Sequence, residues 1–439
     1  MTILIKNAEL TDPSQKMDGL CSILIEDGKI KEITSERSAG KGQKTREKQP
    51  QELTVIDAEG RPVIPGLVDM HVHLREPGFE YKETIRTGTE AAVRGGITTV
   101  CCMPNTRPVI DNASITSFIL SKAAQEGSCS VYPIGAITKG QKGEELAELS
   151  ILHEAGCIAF SDDGRPVMDS LLMRRALEYS KILEVPLISH CEDLALAAGG
   201  VMNEGLTSVM LGLRGIPPQA EEIIVARDIA LAELTGARLH IAHVSTAGSV
   251  GIIRAAKKRG ITDITAETCP HYFHITEEAA RDYNTFAKVN PPLRTRKDIE
   301  AIREGLQDGT IDVIATDHAP HHLDEKSGDF DSAPSGISGL ETSLGLSMKL
   351  VDDGVLDMAG LVGKMALTPA RILGLFSKNK KGSLKPGFDA DLVILDTASE
   401  YTVDPALFRS KGVNTPFEGW KLRARAAITL SNGRIHTWT

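Results

Sequence analysis

The segment VIPGLVDMHVHLREPG, residues 63–78, ends an apolar run with two histidines separated by one residue, and an arginine follows two positions later. Successive side chains of a β-strand alternate between its two faces, so residues two apart share a face. This alternation predicts that Asp69, His71, His73 and Arg75 point to the same side. Two imidazoles on one face are typical of a metal site, and the arginine would lie just beyond them, over a bound substrate.

Other apolar runs also end in side chains that bind metals. They are Asp162 and Asp163 in FSDDG, His190 in SHCED, His243 in AHVS and Asp317 in ATDHAPH. A single histidine at such a place is more often a hydrogen-bonded rim residue. Several titratable groups that meet in one small volume, however, are costly to bury unless cations accompany them. The set as a whole therefore predicts a site for divalent metal.

The types of ligand indicate which metals fit and how many. Histidine and carboxylate ligands without thiolate suit Zn²⁺, with Mn²⁺, Co²⁺ or Fe²⁺ as substitutes. Four histidines and at least two carboxylates exceed the usual ligand set of one catalytic zinc. Two metals about 3.5–4 Å apart, bridged by a carboxylate and hydroxide, fit this set better. By alternation His240 and His318 face away from it, and His271 and His274 are expected to pack.

These strand ends need a fold that brings them together. Eight short apolar runs begin near residues 67, 98, 130, 157, 185, 238, 262 and 312, and segments of helical period lie between them. Eight such units predict an α/β fold, the (β/α)8 TIM barrel, in which catalytic residues lie at the carboxyl ends of the strands. Side chains from distant parts of the sequence would then meet at one mouth.

Both ends of the chain have the pattern of short strands. Asp27-Gly28 and Asn432-Gly433 lie between alternating segments and predict hairpin turns. Chain termini often lie close in space, so we predict a composite β-sandwich domain from residues 1–62 and 376–439, flanking a metal-dependent barrel domain at 63–375. The charged stretch 35–52 is predicted to be a solvated loop and not a nucleic-acid arm.

Composition limits the partners and the compartment. The 439 residues are 41% hydrophobic and 25% charged with a net charge of −10, so nucleic acid is not an expected partner. The seven cysteines lie mostly in apolar runs and are predicted to be free thiols of a reducing cytosol. We recognise neither a signal peptide nor a run long enough to cross a membrane, and we expect a cytoplasmic protein.

The motifs DMHVHLREPG, MPNTRP, FSDDG, SHCED, AHVS, NPPLR and ATDHAPH together resemble the long, bacterial-type (class I) dihydroorotases of the amidohydrolase superfamily. His-x-His alone marks only the superfamily, whereas HLREPG with MPNT, NPPLR and DHAPH points to this member. The resemblance covers nearly the whole chain, including both β-rich ends. It implies a composite β domain, a barrel and two Zn²⁺ per subunit.

The resemblance also implies which residues hold the metals. The ligands would be His71, His73 and Asp317 for one zinc, and His190 and His243 for the other. Many relatives bridge the metals with a carboxylated lysine, but FSDDG contains none. The residue that matches the bridging position is Asp163, with hydroxide as the second bridge. Asp162 is expected on the opposite face, unless a local bulge exchanges the two.

Substrate contacts are implied in the same way. Arg75 and Asn105 resemble a clamp for the substrate carboxylate, and Asp317 would act as general base and then acid. The further contacts would be His73, Asn290, His321, Ser335 and Gly336. Ser335 stands where relatives often have an aromatic residue. From the residues alone, Asn105 is also a plausible turn residue, and Arg75 could form a surface ion pair.

The activity implied is the reversible cyclisation of N-carbamoyl-L-aspartate to L-dihydroorotate in pyrimidine (UMP) biosynthesis. The alternatives are another cyclic amidohydrolase (dihydropyrimidinase, hydantoinase or allantoinase) and a non-catalytic scaffold for aspartate transcarbamoylase. Assembly with that enzyme is also compatible with activity, and a homodimer is the default expectation. The polar loop after the eighth run is either a lid over the pocket or an ordinary surface loop.

Overall fold

The computed structural model describes residues 2–15, 19–35 and 53–437. The charged stretch predicted to be a solvated loop lies, from residue 36 to 52, outside the described residues. In the described part of the chain, no helix is both long enough and apolar enough to span a membrane. All seven cysteines are buried thiols outside disulfides, as the sequence predicted.

The strands follow one another along the whole chain. In order they are β1 (Thr2–Leu10), β2 (Leu20–Glu26), β3 (Lys29–Ser35), β4 (Leu53–Asp57), β5 (Pro62–Pro65), β6 (Leu67–Val72), β7 (Ile97–Cys102), β8 (Ser130–Pro133), β9 (Phe160–Ser161), β10 (Leu187–Ser189), β11 (Met202–Asn203), β12 (Gly215–Ile216), β13 (Leu239–Ile241), β14 (Ile264–Thr268), β15 (Val313–Ile314), β16 (Leu392–Thr402), β17 (Lys421–Ser431) and β18 (Arg434–Thr437).

The α-helices lie almost entirely between the sixth and the sixteenth strand. They are α1 (Ile85–Arg94), α2 (Ala113–Glu126), α3 (Leu149–Glu154), α4 (Ser170–Ile182), α5 (Leu194–Ala197), α6 (Leu206–Leu211), α7 (Gln219–Thr235), α8 (Ala247–Lys258), α9 (Arg296–Asp308), α10 (Leu323–Lys326), α11 (Ser343–Asp352), α12 (Met358–Val362), α13 (Thr368–Ile372) and α14 (Leu375–Lys378). Several begin at a capping side chain, such as Thr84 before α1, Asp169 before α4 and Thr246 before α8.

Eight parallel strands form the barrel, and each coincides with one of the eight predicted runs. β6, β7 and β8 make one ladder, and β9, β10, β13, β14 and β15 make a second. Single parallel bridges join the two ladders, Gly135 to Phe160 on one side and Val72 to His318 on the other. The predicted TIM-barrel fold is confirmed, with short strands whose carboxyl ends face one mouth.

The two chain ends meet in one sheet, as predicted for a composite β domain. Its strand order is β18-β17-β16-β5-β1-β2-β3, with β4 paired to β1. The predicted turns at Asp27-Gly28 and Asn432-Gly433 close the β2–β3 and β17–β18 hairpins. All four turn residues have positive φ, from 50° to 74°, as two-residue hairpin turns of this type require. β5 leads through Gly66 directly into β6, so this sheet is continuous in sequence with the first barrel strand.

Apolar side chains fill the barrel below its mouth. Val68 and Met70 of β6, Cys101 of β7, Ile188 of β10 and Val313 of β15 belong to one buried cluster. A larger cluster lies between the strands and the surrounding helices. Since the interior is closed by hydrocarbon, polar side chains that project inward can gather only near the open end of the barrel.

Candidate active site

A carboxylate lies between four imidazoles at the mouth of the barrel. Asp163, which follows β9, has Oδ1 at 3.4 Å from His71 Nε2 and at 3.5 Å from both His190 Nδ1 and His243 Nε2. Its other oxygen, Oδ2, is 3.5 Å from His73 Nε2. The histidines come from the ends of β6, β10 and β13, so three further strands supply the groups that surround one side chain.

The opposite side of this cluster is closed by Asp317, which follows β15. Its Oδ1 is 3.1 Å from His73 Nε2 and 3.5 Å from His71 Nε2. His190 and His243 face each other on the other side of Asp163, with Nδ1 and Nε2 2.8 Å apart. Two subsets with the spacing of metal ligands therefore share Asp163: His71 and His73 on one side, His190 and His243 on the other.

The donor atoms have the character that a bound cation requires. His71 Nε2 and Asp163 Oδ1 are buried and face each other, yet neither has a hydrogen-bond partner among the described residues. Buried polar atoms are rarely left unpaired, because the lost solvation is costly. A divalent cation accepts lone pairs from both atoms at once, so the residues present fit a metal centre.

Asp163 and Asp317 are ionised, as metal binding would require. Burial by itself would raise the pKa of Asp163, but the charge of His71 and the nearby imidazoles of His190 and His243 outweigh it and hold this pKa well below its usual range. The pKa of Asp317 is lowered as well, since the charge of His71 and the bond from His73 exceed the effect of burial.

Other side chains fix the orientation of the histidines. His71 Nδ1 donates to Glu267 Oε1 at 2.5 Å, and His73 Nδ1 donates to Asn105 Oδ1 at 2.8 Å. Each contact holds a proton on Nδ1 and turns Nε2 toward the centre. Glu192 lies 3.6 Å from His190 Nε2, an ion-pair distance that is too long for a hydrogen bond.

Sequence reasoning missed Glu267 and Glu192. Glu267 lies in β14. The apolar run that predicts this strand does not end in a histidine or a carboxylate. The signal was present in TAETC, an acid inside an otherwise apolar run. His240 also bonds Glu267, through Nε2 at 3.1 Å. His240 is not part of the cluster around Asp163, as expected, but it bonds the same carboxylate that orients His71 and so lies beneath the site.

Strict alternation fails because the backbone departs from strand geometry at the mouth. Arg75, His243 and Asp317 have positive φ values of 61°, 32° and 46°, which are uncommon for residues other than glycine and cluster at functional sites. The register of β6 against β7 also shifts between Asp69 and Val72. Asp69 consequently stays out of the cluster and accepts bonds from the backbone of His71 and from Thr316.

Three other predicted placements agree with the structure. Asp162 turns away from the histidines and accepts bonds from the backbone of Ile137 and from Thr138. His318 bonds Glu83 Oε2 at 3.3 Å and not the cluster. His271 is buried, as expected for a packing residue, and burial lowers its pKa to about 4.

All six residues predicted to contact substrate around the ligands border a single cavity of about 530 Å³. They are Arg75, Asn105, Asn290, His321, Ser335 and Gly336. His73, Asp163 and Asp317 form part of the same wall. A cavity of this size suits a small-molecule ligand, and the cluster of acids and imidazoles is exposed to it.

A neutral histidine stands beside the arginine of this cavity. Arg75 Nε donates to Pro320 O at 3.2 Å, and its Nη2 lies 3.3 Å from His321 Nε2. Burial first, then the charges of Arg75 and Lys82, lower the pKa of His321 to about 2. Lys82 donates to Nδ1, so Nε2 carries the proton and donates to Ser335 O at 2.9 Å.

We expect Glu267→Gln to weaken metal binding by roughly 10–100-fold, the usual effect of removing an outer partner of a ligating histidine. The amide keeps the size of the side chain but loses the charge that holds the proton on His71 Nδ1. The measurement is metal content by mass spectrometry after dialysis against graded concentrations of chelator.

Asp391→Asn is the matched control for this variant. Asp391 is also a buried carboxylate, 3% exposed, but it pairs with Lys381 in the composite β domain. We expect this change to lower stability and leave metal retention as in the wild type. Equal retention by Glu267→Gln and the wild type would show that Glu267 does not support the centre.

Comparison with known proteins gives the family. The sequence model of the dihydro-orotase-like family matches residues 60–249. The dihydroorotases of Syntrophus aciditrophicus and Geotalea daltonii are 53% and 55% identical over 435 residues, which is 99% of this chain and 99% of each relative.

Solved structures of related enzymes share the fold. The L-hydantoinase of Arthrobacter aurescens superposes with a TM-score of 0.85 at 27% identity, covering 99% of this chain and 96% of that one. The D-hydantoinase of a Thermus species gives 0.83 at 26% identity, with coverages of 99% and 95%. The fold alone does not distinguish these families, but sequence identity above 50% over 99% of the chain does. This chain therefore belongs to the dihydroorotase family.

Proposed function

We propose that this protein is a metal-dependent dihydroorotase, a cyclic amide hydrolase of pyrimidine biosynthesis. It interconverts N-carbamoyl-L-aspartate and L-dihydroorotate, forming the ring with loss of water or opening it with addition of water. The observation that carries the proposal is the carboxylate of Asp163 held between four imidazoles at the wall of a cavity that also contains Arg75. Family membership supplies the substrate.

The metal centre is proposed to hold two zinc ions. His71 and His73 with Asp317 would bind one, His190 and His243 the other, and Asp163 would bridge them. The separate approach of each histidine pair to Asp163 supports two ions and not one. Bound zinc would lower the pKa of water toward neutrality and polarise the ring carbonyl.

Asp317 is proposed to move the proton in this reaction. In the hydrolytic direction, water adds to the ring amide carbonyl, its proton passes to the Asp317 carboxylate, and Asp317 then delivers that proton to the leaving ring nitrogen. Its lowered pKa leaves it unprotonated and ready to accept, and it borders the cavity directly. In the biosynthetic direction the same carboxylate removes the proton from the ureido nitrogen.

The carboxylate of the ring is proposed to bind at Arg75 and Asn105. Asn105 already uses Oδ1 to hold His73, so its Nδ2 remains for the substrate, and this one residue would link substrate position to ligand position. Backbone groups of Ser335 and Gly336, with Asn290 and His321, would contact the rest of the ring. Such positioning can supply several kcal/mol of the barrier reduction.

Two rival functions lose support from these residues. Hydantoinases share the fold, but Asp163 stands here where a bridging carboxylated lysine is typical of that group, and a carboxylate clamp has no purpose for a ring that carries no carboxylate. A scaffold without catalysis would not need the full ligand set that surrounds Asp163. We infer cytoplasmic activity, with a homodimer or an assembly with aspartate transcarbamoylase as the candidate quaternary states.

We expect the zinc-loaded protein to hydrolyse dihydroorotate with a kcat/KM roughly 10²-fold or more above that for dihydrouracil or allantoin, since only dihydroorotate carries the carboxylate that Arg75 can pair. The assay compares the three substrates on one preparation, together with its zinc content. Faster turnover of dihydrouracil would favour the hydantoinase function. A preparation that holds no stoichiometric zinc would favour the scaffold.

We expect Asp317→Asn to keep most of the metal and to lower kcat by roughly 10²–10⁴-fold, because the amide cannot accept the proton. Steady-state kinetics and metal content are measured on the same sample. Near-native turnover in this variant would refute the proposed proton path.

We expect Arg75→Ala to raise the KM for dihydroorotate by roughly 10–100-fold, with a smaller effect on kcat, because a charge-assisted pair to the substrate is lost. Arg75→Lys should recover only part of the loss, since an ammonium cannot form the two-pronged contact. An unchanged KM in Arg75→Ala would mean that the carboxylate binds elsewhere.

A further inference from the structure

The loop that follows β15 is held against the barrel mouth by a buried lysine. Lys326, at the end of α10, is 2% exposed. Its Nζ donates to three backbone carbonyls, those of Thr285 at 3.0 Å, Lys288 at 3.3 Å and Pro334 at 2.7 Å. The first two belong to the segment before NPPLR and the third to the far end of the loop, so one ammonium joins three points of the backbone.

A second lysine makes the reciprocal connection. Lys288 lies in the segment before NPPLR, and its Nζ donates to the carbonyls of Phe330 at 2.6 Å and Asp331 at 3.0 Å, in the middle of the loop. Thr285 also donates through Oγ1 to the carbonyl of Lys326. Each segment therefore sends a lysine into the other, and we call Lys288 and Lys326 together the lysine latch.

The latch is an expensive arrangement. In the described residues neither ammonium forms an ion pair with a carboxylate; both bond only carbonyl oxygens. Burial, then the charges of Lys288 and Arg75, lower the pKa of Lys326 to about 7. A buried, unpaired cation is unfavourable for folding alone, and an apolar side chain could have filled the same space.

The position of the latch indicates what it does. Pro334, which Lys326 holds, directly precedes Ser335 and Gly336, and the backbone N–H of Gly336 donates to Lys288 O at 2.9 Å. Ser335 O in turn accepts from His321. The segment that borders the cavity at Ser335 and Gly336 is thus fixed on both sides by the latch.

We propose that Lys288 and Lys326 are positioning residues that hold the loop 323–336 closed and present Ser335 and Gly336 to the substrate, an inference that rests on the proposed function for its substrate. They act through the backbone that they bind; Lys288 also borders the cavity, whereas Lys326 does not and therefore tests the positioning role by itself.

The test compares Lys326→Met and Lys288→Met with Lys364→Met in the zinc-loaded protein. Lys364 is the matched control, because it is also a largely buried lysine whose Nζ donates to a backbone carbonyl, that of Ile311 at 2.6 Å, and it does not border the cavity. The readouts are hydrogen exchange of peptides covering 327–337, Tm, and kcat and KM for dihydroorotate.

In both latch variants we expect exchange in 327–337 to accelerate by roughly tenfold or more and KM to rise by a similar factor, with a smaller fall in kcat. Lys364→Met should lower Tm and leave the exchange of this segment and the KM unchanged. Lys288→Met removes two bonds where Lys326→Met removes three, so it remains informative if the larger loss prevents folding.

Wild-type exchange rates in 327–337 for the latch variants would overturn the proposal, and so would an equal rise of KM in Lys364→Met. Failure of the proposed function gives a different result. If the wild type does not turn over dihydroorotate at all, the substrate assignment falls, while accelerated exchange confined to the latch variants would still establish that the two lysines hold the loop.

Discussion

The site depends on one constraint, a single buried carboxylate shared by two pairs of imidazoles. Asp163 is 5% exposed and lies within 3.5 Å of ring nitrogens from three other strands. Without a cation, this arrangement leaves lone pairs facing one another in a volume that water does not solvate well, a cost that folding would have to absorb. With cations the same geometry becomes favourable, so the cluster is best understood as a site folded around metal.

This shared carboxylate explains the polar side chains that contact the histidines from behind. A histidine that binds metal through one nitrogen must place its proton on the other, and Glu267 and Asn105 fix this choice for His71 and His73. Glu267 also takes the bond from His240, so the ligand pair of β6 is tied to β13 and β14. Hydrogen bonds between side chains thereby connect the parallel strands in addition to the backbone ladder. The apolar cluster below them keeps water from competing for these hydrogen bonds.

Most of the architecture was predictable because its signals are local. Apolar runs separated by helical periods mark eight strands, and ligand types at their ends mark the mouth. The errors arose where the backbone leaves ideal geometry. Alternation assumes a regular strand, whereas His243 and Asp317 adopt positive φ, and no local pattern predicts such a turn. A local pattern also cannot reveal that Glu267, an acid inside an apolar run, contacts His71, which lies 196 positions earlier in the sequence.

Charge is distributed across the cavity in a way that determines how substrate lies in it. Asp163 and Asp317 lie among the imidazoles of the cavity wall, whereas Arg75, Lys82 and Lys326 are cations whose charges act on His321. Asp163 and Asp317 would repel a substrate carboxylate placed beside them. Beside Arg75 the same carboxylate meets cations and a histidine that burial keeps neutral. This distribution supports the proposed orientation of the ring, with its carboxylate toward Arg75 and its amide toward the proposed metal ligands, and that orientation would select the bond that is broken before any chemistry occurs. The overall charge of −10 does not oppose this, because the ligand responds to the local field of the cavity and not to the sum over the surface.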